Sequence, residues 1–214
     1  MEYRVQNRLP GVTKNLLIIN ALMYLAQLAL HPQMDDNLAM FPISSDRFMP
    51  FQVITHMFMH AVSSPTHIFF NMFALFMFGR DIEYALGTKR FLIFYLVTGL
   101  GAAFLHQLVG YIELQYVLDP NQANLAMNTR VLGASGAVYG LLAAFGMLYP
   151  NRMIMLLIPP IPMKAKYFVL IFGAIELYLG ISGVNTGIAH FAHLGGAIFG
   201  IVMILIWKKR GKRL

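Results

Sequence analysis

Val131-Leu132-Gly133-Ala134-Ser135-Gly136-Ala137-Val138-Tyr139-Gly140 opens a stretch without charged residues that runs to Asn151 and stops at Arg152. From Ser135 to Tyr149, just before Pro150, a helix would be roughly 22 Å long at 1.5 Å per residue. The hydrocarbon core of a bilayer is roughly 30 Å thick. The segment is apolar enough to sit in lipid and too short to cross it. With its basic end pinned by Arg152, its far end and Ser135 are expected roughly 8 Å below the opposite surface. The chain entering it must then dip below that surface. Irregular backbone is tolerated there only inside protein or along a watery cavity. Both consequences point to a bundle of membrane helices with a polar pocket near one face.

Composition agrees. Hydrophobic residues make up 58% of the 214 and charged residues 12%, against about 25% charged in soluble domains. A domain of this size in water needs more charge to cover its surface. A soluble enzyme, a secreted scaffold and a disordered regulator are excluded. There is no cysteine, which removes disulfides, thiolate metal sites and cysteine proteases. The 15 methionines are read as flexible core and lipid-facing filler.

The charge-free runs Asn15–Met34, Phe48–Gly79, Phe91–Ile112, Val131–Asn151 and Leu177–Trp207 divide into six expected spans. The second run is too long for one crossing and breaks at Ser63-Ser64-Pro65. The last breaks at Ser182-Gly183-Val184-Asn185-Thr186-Gly187, and Lys166–Ile181, interrupted only by Glu176, precedes that break. The spans are about 14–30, 66–86, 91–114, 134–149, 166–182 and 188–207. The expected fold is all-α, one domain over 1–214, with a tail at 1–13 and a basic tail at 208–214. Six crossings place both ends on one side. That side holds fourteen of the sixteen Lys and Arg residues, and the other only Arg47 and Arg130. By the positive-inside rule both ends are cytoplasmic. The net charge of +7 therefore anchors topology at anionic headgroups and does not call for a nucleic acid. The N-terminus has the basic and apolar parts of a signal peptide without a small-x-small cleavage site, so it is read as an uncleaved first span.

Two outer loops are expected, about 31–65 and 115–132. The first carries Phe41, Phe48, Met49, Phe51, Ile54, Met57 and Met59. It is too apolar for water and is expected half-submerged in the outer leaflet.

Polar groups in lipid are costly and usually functional. Gly133-Ala134-Ser135-Gly136 puts a serine at a helix start, where free N–H groups can hold an anion or an oxyanion. The same residues also suit a small-residue packing seam. In Ile188-Ala189-His190-Phe191-Ala192-His193-Leu194-Gly195-Gly196, His193 lies roughly 8–9 Å from the outer end, the depth expected for Ser135. Gly136-x-x-x-Gly140 and Gly196-x-x-x-Gly200 let these two helices approach closely. A serine and a histidine so placed can pair as nucleophile and base. Tyr139, four residues after Ser135, could orient the His193 ring or simply fill the core. His67 and Asn71, also four apart on the second span, could donate to an oxyanion or make a helix–helix hydrogen bond. Glu176 is read as near mid-membrane, either protonated or hydrogen-bonded to a neighbouring helix, and outside the pair.

These residues resemble the rhomboid family of intramembrane serine proteases over about 45–207. The resemblance rests on His56-x-x-x-His60, His67-x-x-x-Asn71, Gly133-Ala134-Ser135-Gly136 and Ala192-His193-Leu194-Gly195-Gly196-Ala197, in the family's order. It implies a Ser135–His193 dyad without an aspartate. It implies an oxyanion site of His67, Asn71 and the N–H groups of Ala134 and Ser135, an aromatic stack by Tyr139, and a structural acid at Glu83. His56, His60 and His190 become polar residues of the pocket and loops. His190 lies one turn nearer the outer surface than His193, where water reaches it more easily. The implied activity is peptide hydrolysis in or beside the transmembrane helix of membrane-anchored substrates. No cofactor or metal is implied, and the implied setting is a bacterial plasma membrane with the site open to the extracytoplasmic side. Phe51-Gln52 stands where some members have Trp-Arg, and the stretches before His67 and Gly133 are long.

Three other functions fit less well. His56-Met57-x-x-His60 has metal-ligand spacing, but Met57 occupies the general-base position of His-Glu-x-x-His. A rhomboid-like protein that only binds or chaperones membrane clients would usually lack the serine or the histidine. A transporter would show paired broken helices or a repeat.

Overall fold

The computed structural model describes residues 8–156, 160–182, 184 and 187–211. Arg4, Lys212 and Arg213 of the expected tails, and Gly183, Asn185 and Thr186 of the expected break, lie outside them. The helices are α1 (Gly11–Leu30), α2 (Gln33–Leu38), α3 (Gln52–Thr55), α4 (Pro65–Ala74), α5 (Arg80–Leu86), α6 (Thr88–Tyr116), α7 (Pro120–Asn128), α8 (Ser135–Leu148), α9 (Ala165–Ile181) and α10 (His190–Lys209). A π-helical turn, Leu75–Gly79, joins α4 to α5 in one helical path. The six expected spans match the main helical segments, α4 and α5 taken as one, to within three residues at each end. In lipid a helix is the one local structure that satisfies its own backbone. Pro65 takes the first turn of α4, where its missing N–H costs nothing.

Two features depart from the expected pattern. Between α8 and α9 the chain forms a small antiparallel hairpin, β1 (Met153–Met155) with β2 (Pro162–Lys164), pairing Ile154 with Met163. The structure is therefore not purely α. The expected 115–132 loop contains α7. Asp119 accepts hydrogen bonds from the N–H groups of Asn121 and Gln122, and the Gln122 side chain returns one to the Asp119 N–H. Asp119-Pro120-x-Gln122 is a capping box followed by proline, a helix start readable in sequence.

Helices α1, α6 and α10 are long and apolar enough to cross a membrane. Helix α8, at 14 residues, is shorter and occupies the centre, packed against α6 and α10. Lipid offers apolar groups as good a solvent as protein does, so close packing rests on small residues. An added Cβ at Gly196 would lie 1.8 Å from the Gly136 carbonyl oxygen, and one at Gly200 would lie 2.8 Å from that of Gly140. The outer faces of the bundle present Leu22, Leu25, Phe104, Leu170 and Leu205.

Glu83 of α5 caps α1 from outside. Its carboxylate accepts the Val12 N–H at 3.0 Å, and the Thr13 N–H and hydroxyl each at 2.7 Å. Negative charge at a helix start also suits the helix dipole. On the opposite side, the first outer loop clamps the strand leading into α8. Met40 and Val131 exchange two backbone hydrogen bonds, and the Gly133 N–H donates to the His56 carbonyl at 2.9 Å. Arg130 reaches Asp35 at 3.2 Å and Asp36 at 3.3 Å. Gln52 is fully buried. Its oxygen accepts the Met49 N–H and its nitrogen donates to the carbonyls of Asn37 and Arg47, so it knits the loop together. The loop's apolar residues divide. Phe41, Met57 and Met59 are buried, whereas Met49, Phe51 and Ile54 are exposed.

Candidate active site

Helix α8 starts at Ser135 with no side-chain cap at Ala134. The first-turn N–H groups there lack an intrahelical partner. Gly133 before it has φ +132°, a left-handed conformation that disfavours any side chain. A Cβ at Gly133 would lie 2.9 Å from His67 Nε2 and 3.6 Å from Ser135 Oγ. Glycine thus keeps open the space between that ring and the hydroxyl.

His193 Nε2 lies 2.8 Å from Ser135 Oγ. The glycine contacts between α8 and α10 make that distance possible. Tyr139 stacks on the His193 ring at 4.2 Å between centroids and 7° between planes. His67 approaches from α4. Its Nδ1 accepts the Ala61 N–H at 3.1 Å, so the proton of the neutral ring is on Nε2, the atom facing Gly133. Asn71 is buried, and its Nδ2 donates to the His67 carbonyl at 2.8 Å.

The remaining residues fall differently from the sequence expectation. Glu176, read as outside the pair, bonds to neighbouring helices and meets both histidines there. Its Oε2 is 2.6 Å from His190 Nδ1, and its Oε1 accepts the Tyr139 hydroxyl proton. The same Oε1 is 2.9 Å from His193 Nδ1, off the axis of a directed hydrogen bond. His190, expected nearer water, is as buried as His193 and is held by that carboxylate. His60 is fully buried behind the site, its ring 5.2 Å from that of His67. Its backbone, not its ring, is held there: Gln27 accepts the His60 N–H and donates to its carbonyl. His56 does line the pocket. So does His106 of α6, which the sequence reading passed over. It is an imidazole within an otherwise apolar span, the same signal that singled out His193.

Ser135, His193, His67 and Asn71 open into a cavity of about 1360 Å³. It runs from Asp35 and Arg130 to Phe168 and Phe172 of α9. Burial in the first outer loop holds His56 down to about 4 and His60 down to about 3. Both are neutral at neutral pH.

Glu176, His190 and His193 place three ligand-type atoms within 4.8 Å of one another. Two ligands at about 2.0 Å on a tetrahedral ion would be roughly 3.3 Å apart. The 2.6 Å contact of His190 with Glu176 is shorter than that and is a hydrogen bond.

The sequence matches the Rhomboid domain family over residues 47–210. The rhomboid protease AarA of Providencia stuartii is 28% identical over 211 residues, covering 92% of this chain and 72% of that protein. The mitochondrial presenilin-associated rhomboid-like protein A of Danio rerio is 32% identical over 178 residues, covering 79% of this chain and 41% of the relative. The putative rhomboid protease YdcA of Bacillus subtilis strain 168 is 27% identical over 164 residues, covering 76% and 69%.

Proposed function

As the chain belongs to the rhomboid family and is an integral membrane protein, we propose that it is an intramembrane serine endopeptidase. Its substrates are membrane-anchored proteins, cut in or beside a transmembrane helix. The observation that carries this is the 2.8 Å contact between Ser135 Oγ and His193 Nε2 at the wall of the large cavity.

In the reaction, His193 Nε2 takes the proton of Ser135 as Oγ bonds to the substrate carbonyl carbon. The oxygen becomes an anion and is held by His67 Nε2–H, the second N–H of Asn71 Nδ2 and the backbone N–H groups at Ala134 and Ser135. Collapse breaks the C–N bond, and His193 gives its proton to the leaving amine. His193 then deprotonates a water that attacks the acyl-enzyme, and Ser135 leaves with its proton restored. The cavity admits that water. α4 and α9 both contribute to its wall, which supports sideways entry of a substrate helix between them.

We read six crossings, with α8 and α9 as short spans and α4–α5 as a single one, in a bacterial plasma membrane with both ends cytoplasmic. The distribution of Lys and Arg supports that orientation. The site then opens to the extracytoplasmic side, and mass spectrometry of the products should place the cut near that end of the substrate helix.

Labelling with a serine-directed fluorophosphonate tests the nucleophile without knowledge of the substrate. The wild type should label and Ser135→Ala should not, while both fold. A wild type that binds membrane clients but neither labels nor cleaves would instead be a silent rhomboid-like protein.

A further inference from the structure

Helix α9 has 17 residues and, apart from Ala165 at its start, buries one: Glu176. These two are eleven residues apart, three full turns, and so lie on one face. A carboxylate turned inward from an apolar helix is costly in a membrane unless other groups compensate it. Here three groups from two other helices converge on it: the Tyr139 hydroxyl of α8 and His190 Nδ1 of α10 by hydrogen bonds, and His193 Nδ1 of α10 at 2.9 Å.

The consequence lies in the tautomer of His193. Its Nδ1 is buried and, among the described residues, has no other partner. If the ring proton were on Nε2, the Nδ1 lone pair would face a carboxylate oxygen at 2.9 Å. Nε2 would then donate to Ser135 and could not accept its proton. With the proton on Nδ1, the ring faces Glu176 with an N–H and Ser135 with a lone pair. The carboxylate favours the second form, the one that can act as base. When Nε2 takes the serine proton, the ring becomes a cation between the Tyr139 face and the Glu176 carboxylate, and both stabilise it. His190, at 2.6 Å from Oε2, holds the carboxylate itself and leaves Oε1 for His193.

We propose that Glu176 is the positioning residue of this site, so that serine, histidine and glutamate act as a relay supplied by three helices. The inference rests on the serine-protease reading above. The proton stays on His193 throughout, and Glu176 takes none.

The test uses the full chain in proteoliposomes with a fluorogenic single-span substrate, comparing wild type, Ser135→Ala, Glu176→Gln and Glu176→Asp. Glu176→Gln keeps shape and removes charge. It should lower kcat by about 10²-fold or more, leave KM within about twofold, and slow fluorophosphonate labelling in parallel. Glu176→Asp should recover at least about tenfold of that loss. Glu176→Gln that turns over within about threefold of wild type, or loses only in KM, overturns the proposal. So does a loss that Glu176→Asp shares in full. Nitrogen NMR of wild type labelled at histidine, assigned with His193→Ala, reads the tautomer whether or not the Glu176 variants fold. Nδ1–H is expected, and Nε2–H overturns the proposal. Ser135→Ala that still labels removes the protease reading itself. Ser135→Ala dead beside an active Glu176→Gln removes only the relay.

Discussion

Gly196→Ala should disable the site from a distance, and the structure supplies the magnitude. The new Cβ would start 1.8 Å from the Gly136 carbonyl oxygen, whereas carbon and oxygen in contact sit roughly 3.3 Å apart. The α8–α10 seam must therefore open by about 1.5 Å or shear by as much. Neither side can absorb this with a side chain, because the opposing atom is helix backbone. Ser135 lies one residue before Gly136, and His193 three before Gly196, so the opening passes directly to the 2.8 Å Ser135–His193 contact. Misplacement of about 1 Å can cost roughly 10²-fold in rate, and overpacking costs about 1–3 kcal/mol of stability. The expected result is a loss of kcat of about 10²-fold or more, slowed fluorophosphonate labelling, and a lowered Tm. Gly173→Ala is the control, since a Cβ there meets nothing within 4 Å, and it should leave both readouts near wild type. Gly196→Ala with wild-type labelling and turnover would refute the claim that close helix approach assembles the pair.

Three further outcomes are expected. His67→Ala or Asn71→Ala should lower kcat with little change in KM, each by up to about 3 kcal/mol of transition-state stabilisation, and the double variant should lose less than the sum if both serve one oxygen. Steady-state kinetics would show a pure KM effect if they only bind substrate. Glu83→Ala should lower the Tm, at a cost of about 2 kcal/mol or more, because it strands the Val12 and Thr13 donors; the folded fraction should still label. His56 and His60 are held at about 4 and about 3, below the unfolded value near 6.5. The unfolded chain therefore binds more protons below that pH, and stability is full above about 6.5 and falls as pH falls toward 4. By pH 5 each should cost about 2 kcal/mol, seen as a Tm drop that His56→Asn reduces.

The helices were legible because lipid leaves the backbone one local solution, so the absence of charge over a run already determines a helix. The depth match between Ser135 and His193, and the glycines between them, were legible for a related reason: rise per residue converts sequence position to depth. Helix α7 was missed because polarity was taken to mean loop, although Asp119-Pro120-x-Gln122 marks a start independently of hydropathy. His190 was misplaced by assuming that nearness to the surface means access to water. Its imidazole faces Glu176, and a partner on another helix is not visible in the spacing of its own.

The meeting of Glu176 with His190 and His193 needed one further step. Counted from Lys166, it lies about 15 Å in, which looks like mid-membrane. Yet α9 has only 17 residues, about 25 Å, so its ends cannot both reach the surfaces and the count depends on which end is used. From the expected outer end at residue 182, Glu176 is about 9 Å deep, and His193 is about 8–9 Å from its own outer end at 188. The two depths coincide. An ionisable group in lipid must find a compensating partner near its own level, and at that level the sequence offers Ser135, Tyr139, His190 and His193. Depth matching applied to the carboxylate as it was to the serine would have brought it to the site. What it could not supply is the direction of approach. That comes from the one inward face of α9, which carries Ala165 and Glu176 and turns the carboxylate toward Nδ1, away from the serine.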